Sequence, residues 1–128
     1  MRTLHLGVRV ADLDRSLAFY AALGYEVIGD VPETDLGHLV MIKLPGDEFV
    51  TIELVHDPQG DAAAGPNRLS HLVIQVDSME AALADLRAKG VESEAPTSPD
   101  GSESFLTTWI SDPDGNRVEL VQWPPGHA

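Results

Sequence analysis

A chain of 128 residues, 43% of them hydrophobic, suffices for one domain or for two half-domains sharing a core, and is too apolar for disorder to be the default. Its 21 acidic against 8 basic residues give a formal net charge of −13, which argues against nucleic acid or an anionic membrane as partner. With no cysteine there is neither a disulfide framework nor a thiolate metal site, so any metal must be held by nitrogen and oxygen.

The opening MRTLHLGVRVADLDR lacks the long apolar run of a signal peptide, and no later stretch reaches membrane-spanning length, so a soluble, cytoplasmic protein is expected. Residues 3–10 alternate, with Leu4, Leu6, Val8 and Val10 on one face and His5, Gly7 and Arg9 on the other, the period of a half-buried strand. Asp12 reads as the N-cap of a helix with Leu13, Leu17, Tyr20 and Ala21 on its inner face and Gly24 as its stop. YEVIGD predicts a short strand, Val31 to Leu36 a loop, GHLVMIKL a strand, LPGDE a turn and FVTIELV a further strand. In that last strand Val50, Ile52 and Leu54 share one face, leaving Glu53 on the other.

Residues 56–68 are rich in Gly, Pro, Ala and polar residues and predict a connector. The pattern then restarts. LSHLVIQV sets Leu72, Ile74 and Val76 against His71, Val73 and Gln75; Asp77 with Glu80 resembles a capping box, and Gly90 ends the second helix. VESE is a weak strand, APTSPDGSE a rim loop, SFLTTWI a strand, DPDGN a turn and RVELVQW the last strand, with Arg117, Glu119 and Val121 opposite Val118 and Leu120. The expected architecture is α+β: a single domain over 1–128, with βαβββ module one at 3–55, the connector at 56–68 and βαβββ module two at 69–123.

His5 and His71 are separated by the same offset as Glu53 and Glu119, 66 residues (71 − 5 and 119 − 53), so each copy of an internal repeat carries one histidine and one glutamate. A lone histidine or glutamate in a strand is ordinarily a surface or locally hydrogen-bonded group. All four here fall opposite the apolar alternation, and two imidazoles with two carboxylates suit a divalent first-row ion such as Zn, Ni, Co, Mn or Fe. A six-coordinate ion would keep two positions for water or for two neighbouring substrate oxygens.

HLGVRVADLDRSLAFYAALGYEV, TIELVHD, LSHLVIQVDSMEAALADLRAKGV and SDPDGNRVEL together resemble the vicinal oxygen chelate superfamily, and within it glyoxalase I (lactoylglutathione lyase) of the short bacterial type. The resemblance implies paired βαβββ modules whose sheets curl around a metal, with His5, Glu53, His71 and Glu119 at the four ligand positions and Ni or Zn favoured over Co, Mn or Fe. It implies a homodimer in which each site takes His5 and Glu53 from one subunit and His71 and Glu119 from the other. The implied reaction converts the hemithioacetal of methylglyoxal and a thiol such as glutathione into a thioester through an enediolate. In it Glu119 is the first choice of base and Glu53 the choice for the opposite hemithioacetal face.

Arg9 matches a family position that binds a glutathione carboxylate; as a strand residue it equally suits pairing with an acid. Asp57 stands where relatives often carry asparagine, and Asn67 where an arginine occurs, with Arg68 one step later. Carboxylate at such places repels anionic glutathione, so the chemistry can persist with a changed substrate. Trp109, Phe105 and Trp123 either line the substrate site or fill core and dimer contacts, and His38, His56 and His127 read as surface histidines. The competing readings are a drug-sequestering binder of the bleomycin-resistance type and another superfamily enzyme. Of the latter, an epimerase typically has glutamine where Glu53 stands, a fosfomycin-modifying transferase needs only three ligands, and a dioxygenase-like enzyme would take a different substrate.

Overall fold

The computed structural model describes residues 5–58 and 71–125, in two compact units, Met1–Arg68 and Leu69–Ala128. In the first, β1 (Leu6–Arg9), α1 (Leu13–Ala22), β2 (Glu26–Thr34), β3 (Gly37–Lys43) and β4 (Ile52–His56) form a four-stranded sheet in the order β1-β4-β3-β2. The alternation expected of the first strand holds over its second half, where Val8 and Val10 are buried while Gly7 and Arg9 are exposed, but Leu6, expected inward with them, is exposed at the strand start; Ile52 and Leu54 of β4 are buried on the same principle. β1 runs parallel to β4, and the other two pairs are antiparallel. Asp12 caps α1 by accepting from the Arg15 backbone N–H at 3.1 Å, and Gly24 follows the helix with φ +105°. The helix is turned from the expected face: Ser16, Phe19 and Tyr20 are its buried residues, while Leu13 and Leu17 are half-buried and Ala21 is exposed. The aromatic set explains the rotation, because Tyr20 meets both Phe19 and Tyr25 edge-on with centroids 5.0 and 5.5 Å apart. Burial pushes the Tyr25 hydroxyl up to about 12.

The loop expected over Val31 to Leu36 is instead mostly strand, since β2 continues to Thr34 and only Asp35 and Leu36 turn the chain into β3. Pro32 is tolerated there because β2 is the sheet edge and its register slips between Val31 and Thr34, where a missing N–H breaks no ladder bond. The Thr34 hydroxyl closes this turn, donating to the Gly37 carbonyl at 2.7 Å and accepting from the Leu36 N–H at 3.1 Å. Gly37 sits at φ +116°, and a Cβ there would lie 2.5 Å from the His56 carbonyl oxygen. Gly37→Ala should therefore destabilise the protein by about 2 kcal/mol or more, seen as a lower urea midpoint with an unchanged m-value. The strand predicted from Phe49 begins only at Ile52 and includes His56, so the connector starts after it, and its residues 59–70 lie outside the described ones.

In the second unit β5 (His71–Gln75), α2 (Met79–Ala88), β6 (Leu106–Ser111) and β7 (Arg117–Gln122) give a three-stranded sheet, order β5-β7-β6, with β5 parallel to β7. Ile74, Ile110, Val118 and Leu120 form its buried face with Met79 and Leu86 of α2. The α2 cap is Ser78, which accepts from the Ala81 N–H at 3.2 Å, one residue beyond the expected Asp77; Glu80 lies in the first turn instead. Gln122 ties β7 to the helix start, accepting from the Met79 N–H at 2.7 Å. The weak strand expected at VESE does not form a ladder. Its residues reach β6 through Glu94, whose N–H donates to the Trp109 carbonyl and whose carbonyl accepts from the Thr108 hydroxyl, with an isolated Thr97–Thr107 bridge beyond, because Pro96 and Pro99 interrupt the donor row. DPDGN forms the predicted turn around buried Asp112, whose carboxylate accepts from the backbone N–H groups of Asp114 and Asn116 and from the Asn116 amide.

Candidate functional site

Strand pairing carries the repeat into three dimensions. In β1 and β4 the partners are Gly7 and Glu53, and in β5 and β7 they are Val73 and Glu119, the same positions shifted by one repeat. Each histidine lies two residues before the strand partner of its glutamate, and period-two alternation places it on that glutamate's side of the sheet. The buried faces are occupied by Val8, Ile52 and Leu54 in one unit and by Ile74, Val118 and Leu120 in the other. The polar set is thus excluded from both cores.

In the first unit His5 Nε2 lies 3.3 Å from Glu53 Oε2, with the glutamate side chain only 16% exposed. Two neighbouring donors on one ion, each bonded at about 2.1 Å, lie roughly 3 Å apart. The imidazole–carboxylate spacing therefore suits one edge of a coordination shell as well as a direct ion pair. In the second unit His71 is exposed and lies edge-on to Trp109, centroids 5.3 Å apart, while Glu119 is half-buried. The Glu119 side chain makes no hydrogen bond or ion pair among the described residues, which leaves its carboxylate available to a ligand. No three His, Asp or Glu side chains among the described residues converge as metal donors: His5 and Glu53 are adjacent in the first unit, and His71 and Glu119 share a sheet face in the second.

Large side chains flank both glutamates. Met41 stands across from Glu53 on β3, and Trp109 across from Glu119 on β6. Room for Met41 comes from Gly29 on β2, where a Cβ would approach the Met41 methyl to 3.0 Å. Such neighbours reduce water access to the carboxylates and strengthen any charge interaction made there.

The remaining expected residues separate. Arg9 is exposed beside Val55 and has no hydrogen-bond or ion-pair partner among the described residues. Asp57 is exposed just beyond β4, whereas Asn67, Arg68 and His127 lie outside the described residues. Phe105 and Trp123 stack on each other at 5.1 Å, away from the role open to Trp109. His38 pairs with Asp30 at 2.5 Å and lies opposite His56; both are half-buried rather than fully exposed, and alternation along β4 puts His56 on the face away from Glu53. One residue with no role in the sequence reading joins the site face: Arg117, whose guanidinium lies 4.6 Å from the Trp109 ring centroid and donates to Glu94 at 2.7 Å. Its alternation with Glu119 was the available signal.

A profile of the Glyoxalase/Bleomycin resistance protein/Dioxygenase superfamily matches residues 2–120. The chain is 30% identical to lactoylglutathione lyase of Salmonella typhimurium over 125 residues, covering 95% of this chain and 93% of that protein. Among solved structures it is similar to a glyoxalase family protein from Enterococcus faecalis, with TM-score 0.76, 25% identity and coverage of 94% and 97% of the two chains. It is also similar to the trypanothione-dependent glyoxalase I of Leishmania major, with TM-score 0.74, 27% identity and coverage of 95% and 86%. No helix among the described residues is long and apolar enough to cross a membrane.

Proposed function

This chain belongs to the Glyoxalase/Bleomycin resistance protein/Dioxygenase superfamily, and we propose that within it the protein is a metal-dependent lyase of the glyoxalase I type. It acts on the hemithioacetal of methylglyoxal and a thiol, glutathione or an analogue, and yields the thioester. The observation that carries this reading is the complete, duplicated His/Glu set at one strand register, Gly7 opposite Glu53 and Val73 opposite Glu119. Lactoylglutathione lyases at about 30% identity over nearly the whole chain support the reaction class.

His5, Glu53, His71 and Glu119 would hold one divalent ion per site, Ni or Zn before Co, Mn or Fe. When bound, the ion supplies Lewis acidity toward two neighbouring oxygens of the substrate. Glu119 takes the proton from the carbon bearing sulfur and hydroxyl, and returns it to the neighbouring carbon, so that the carbonyl ends beside sulfur and no atom is gained or lost. Glu53 performs the same transfer for the opposite face of the hemithioacetal. Arg9 binds an acidic group of the thiol, and Trp109 and Met41 limit water beside the two carboxylates. Two chains pair, each site combining His5 and Glu53 of one with His71 and Glu119 of the other, and the two modules of one chain act as a single domain.

The test is thioester formation from methylglyoxal with glutathione, and with other small thiols, in the presence of Ni, Co, Zn or Mn in turn. Turnover with at least one pairing of thiol and ion is expected. None with any pairing would remove the lyase reading and leave a binding protein of the same superfamily.

A further inference from the structure

We infer that Arg117 is a specificity-determining residue which takes a carboxylate of the substrate's thiol portion in exchange for Glu94; this rests on the function proposed above. Arg117 precedes Glu119 by two residues on β7 and shares its face, about 7 Å away along the strand. Its guanidinium carbon lies over the ring of Trp109, the residue directly across from Glu119, 4.6 Å from the centroid, a cation–π contact. Of its five N–H donors, one is engaged on a side chain among the described residues, Nη2 to Glu94 Oε2 at 2.7 Å.

The fold does not need this arrangement. One repeat earlier, Thr51 stands in the place of Arg117 (117 − 66), and Met41 stands across from Glu53 as Trp109 does from Glu119. The first unit thus builds the same parallel strand pair with neither a cation nor an indole at these two positions. In a chain of net charge −13, a cation fixed beside the second glutamate is a specific addition.

Glu94 supplies the exchange. Its backbone is stitched to β6 on both sides, the N–H donating to the Trp109 carbonyl at 3.0 Å and the carbonyl accepting from the Thr108 hydroxyl at 2.7 Å. The carboxylate is therefore presented to Arg117 from a fixed backbone. Yet the pair is open to solvent, 47% and 63% exposed, and such pairs hold weakly enough for a ligand carboxylate to displace them. The favoured class is a thiol that carries a carboxylate, and Glu94 is the internal competitor that sets how strongly it binds.

The experiment compares wild type, Glu94→Gln, Arg117→Gln, Arg117→Lys and the Glu94→Gln/Arg117→Gln double variant in the full chain. KM and kcat are measured for methylglyoxal hemithioacetals of glutathione and of 2-mercaptoethanol, and glutathione binding is followed separately by tryptophan fluorescence. Arg117→Gln should raise KM and the glutathione Kd about tenfold, while Glu94→Gln should lower both several-fold. The ratio of kcat/KM between the two thiols should shift accordingly, the lysine variant should recover part of the loss, and the double variant should match Arg117→Gln. Equal changes for both thiols, opposite signs, or no glutathione binding by wild type and Glu94→Gln would overturn the inference. If no thiol is turned over, the fluorescence titrations still decide it, so the loss of the lyase reading is seen separately.

Discussion

Glu119→Gln should reduce kcat by about 10²–10⁴-fold, the range for loss of a positioned general base. The substitution keeps the shape of the side chain and removes only its ability to accept a proton and to bind a cation as an anion. Its neighbours Val118 and Leu120 are 0% and 1% exposed, so the backbone that aims the side chain is held by the core and should not move. Glu119 gives up no hydrogen bond or ion pair among the described residues, so stability should stay within about 0.5 kcal/mol of wild type. Unchanged thermal unfolding with collapsed turnover is the expected combination. Glu53→Gln should also weaken metal binding, and because Glu53 is the partner of His5 it disturbs the first pair too. A larger loss of kcat in Glu53→Gln than in Glu119→Gln, at saturating ion, would move the base assignment to the first unit.

His5→Ala and His71→Ala should each lower metal affinity by more than about 100-fold, since each removes a direct donor where even an outer-shell change costs 10–100-fold. The physical reason is the small number of protein donors: four, one histidine and one glutamate from each unit, so loss of either imidazole leaves three. Turnover at limiting ion should vanish in both variants and return partly in excess ion. Calorimetric titration of chelator-stripped protein measures this directly. His38→Ala serves as the comparison: His38 pairs with Asp30 and faces away from Glu53, and its loss should leave ion affinity unchanged.

Much of this site was legible in the sequence because a strand has a period of two. Once Leu6, Val8 and Val10 are assigned inward, His5 and Arg9 have only one side left, and the same holds for Glu53, His71 and Glu119. The equal offset of the two pairs then survives as equal register, which is why two unit faces match without any long-range information. What stayed hidden depends on contacts that periodicity does not encode. Pro32 looks like a loop residue until the strand is known to be an edge; VESE looks like a strand until Pro96 and Pro99 are seen to interrupt its pairing. The cap moved from Asp77 to Ser78 because two adjacent residues could each serve, and only the helix start decides between them. Arg117 was seen on the right face yet without a role. Its meaning comes from Trp109, on the neighbouring strand two residues along in register, and from Glu94, 23 residues earlier in the chain.

The proposed metal centre, assembled from His/Glu pairs of two chains, is most directly tested by subunit complementation. His5→Ala and His71→Ala proteins, each inactive and each poor in bound ion, are mixed, allowed to exchange subunits and assayed at limiting ion. A mixed dimer then holds one site that lacks both histidines and one that has both, and random exchange should restore about a quarter of wild-type activity and ion binding. No recovery after verified exchange, or a wild-type protein that binds no divalent ion, would contradict the shared centre.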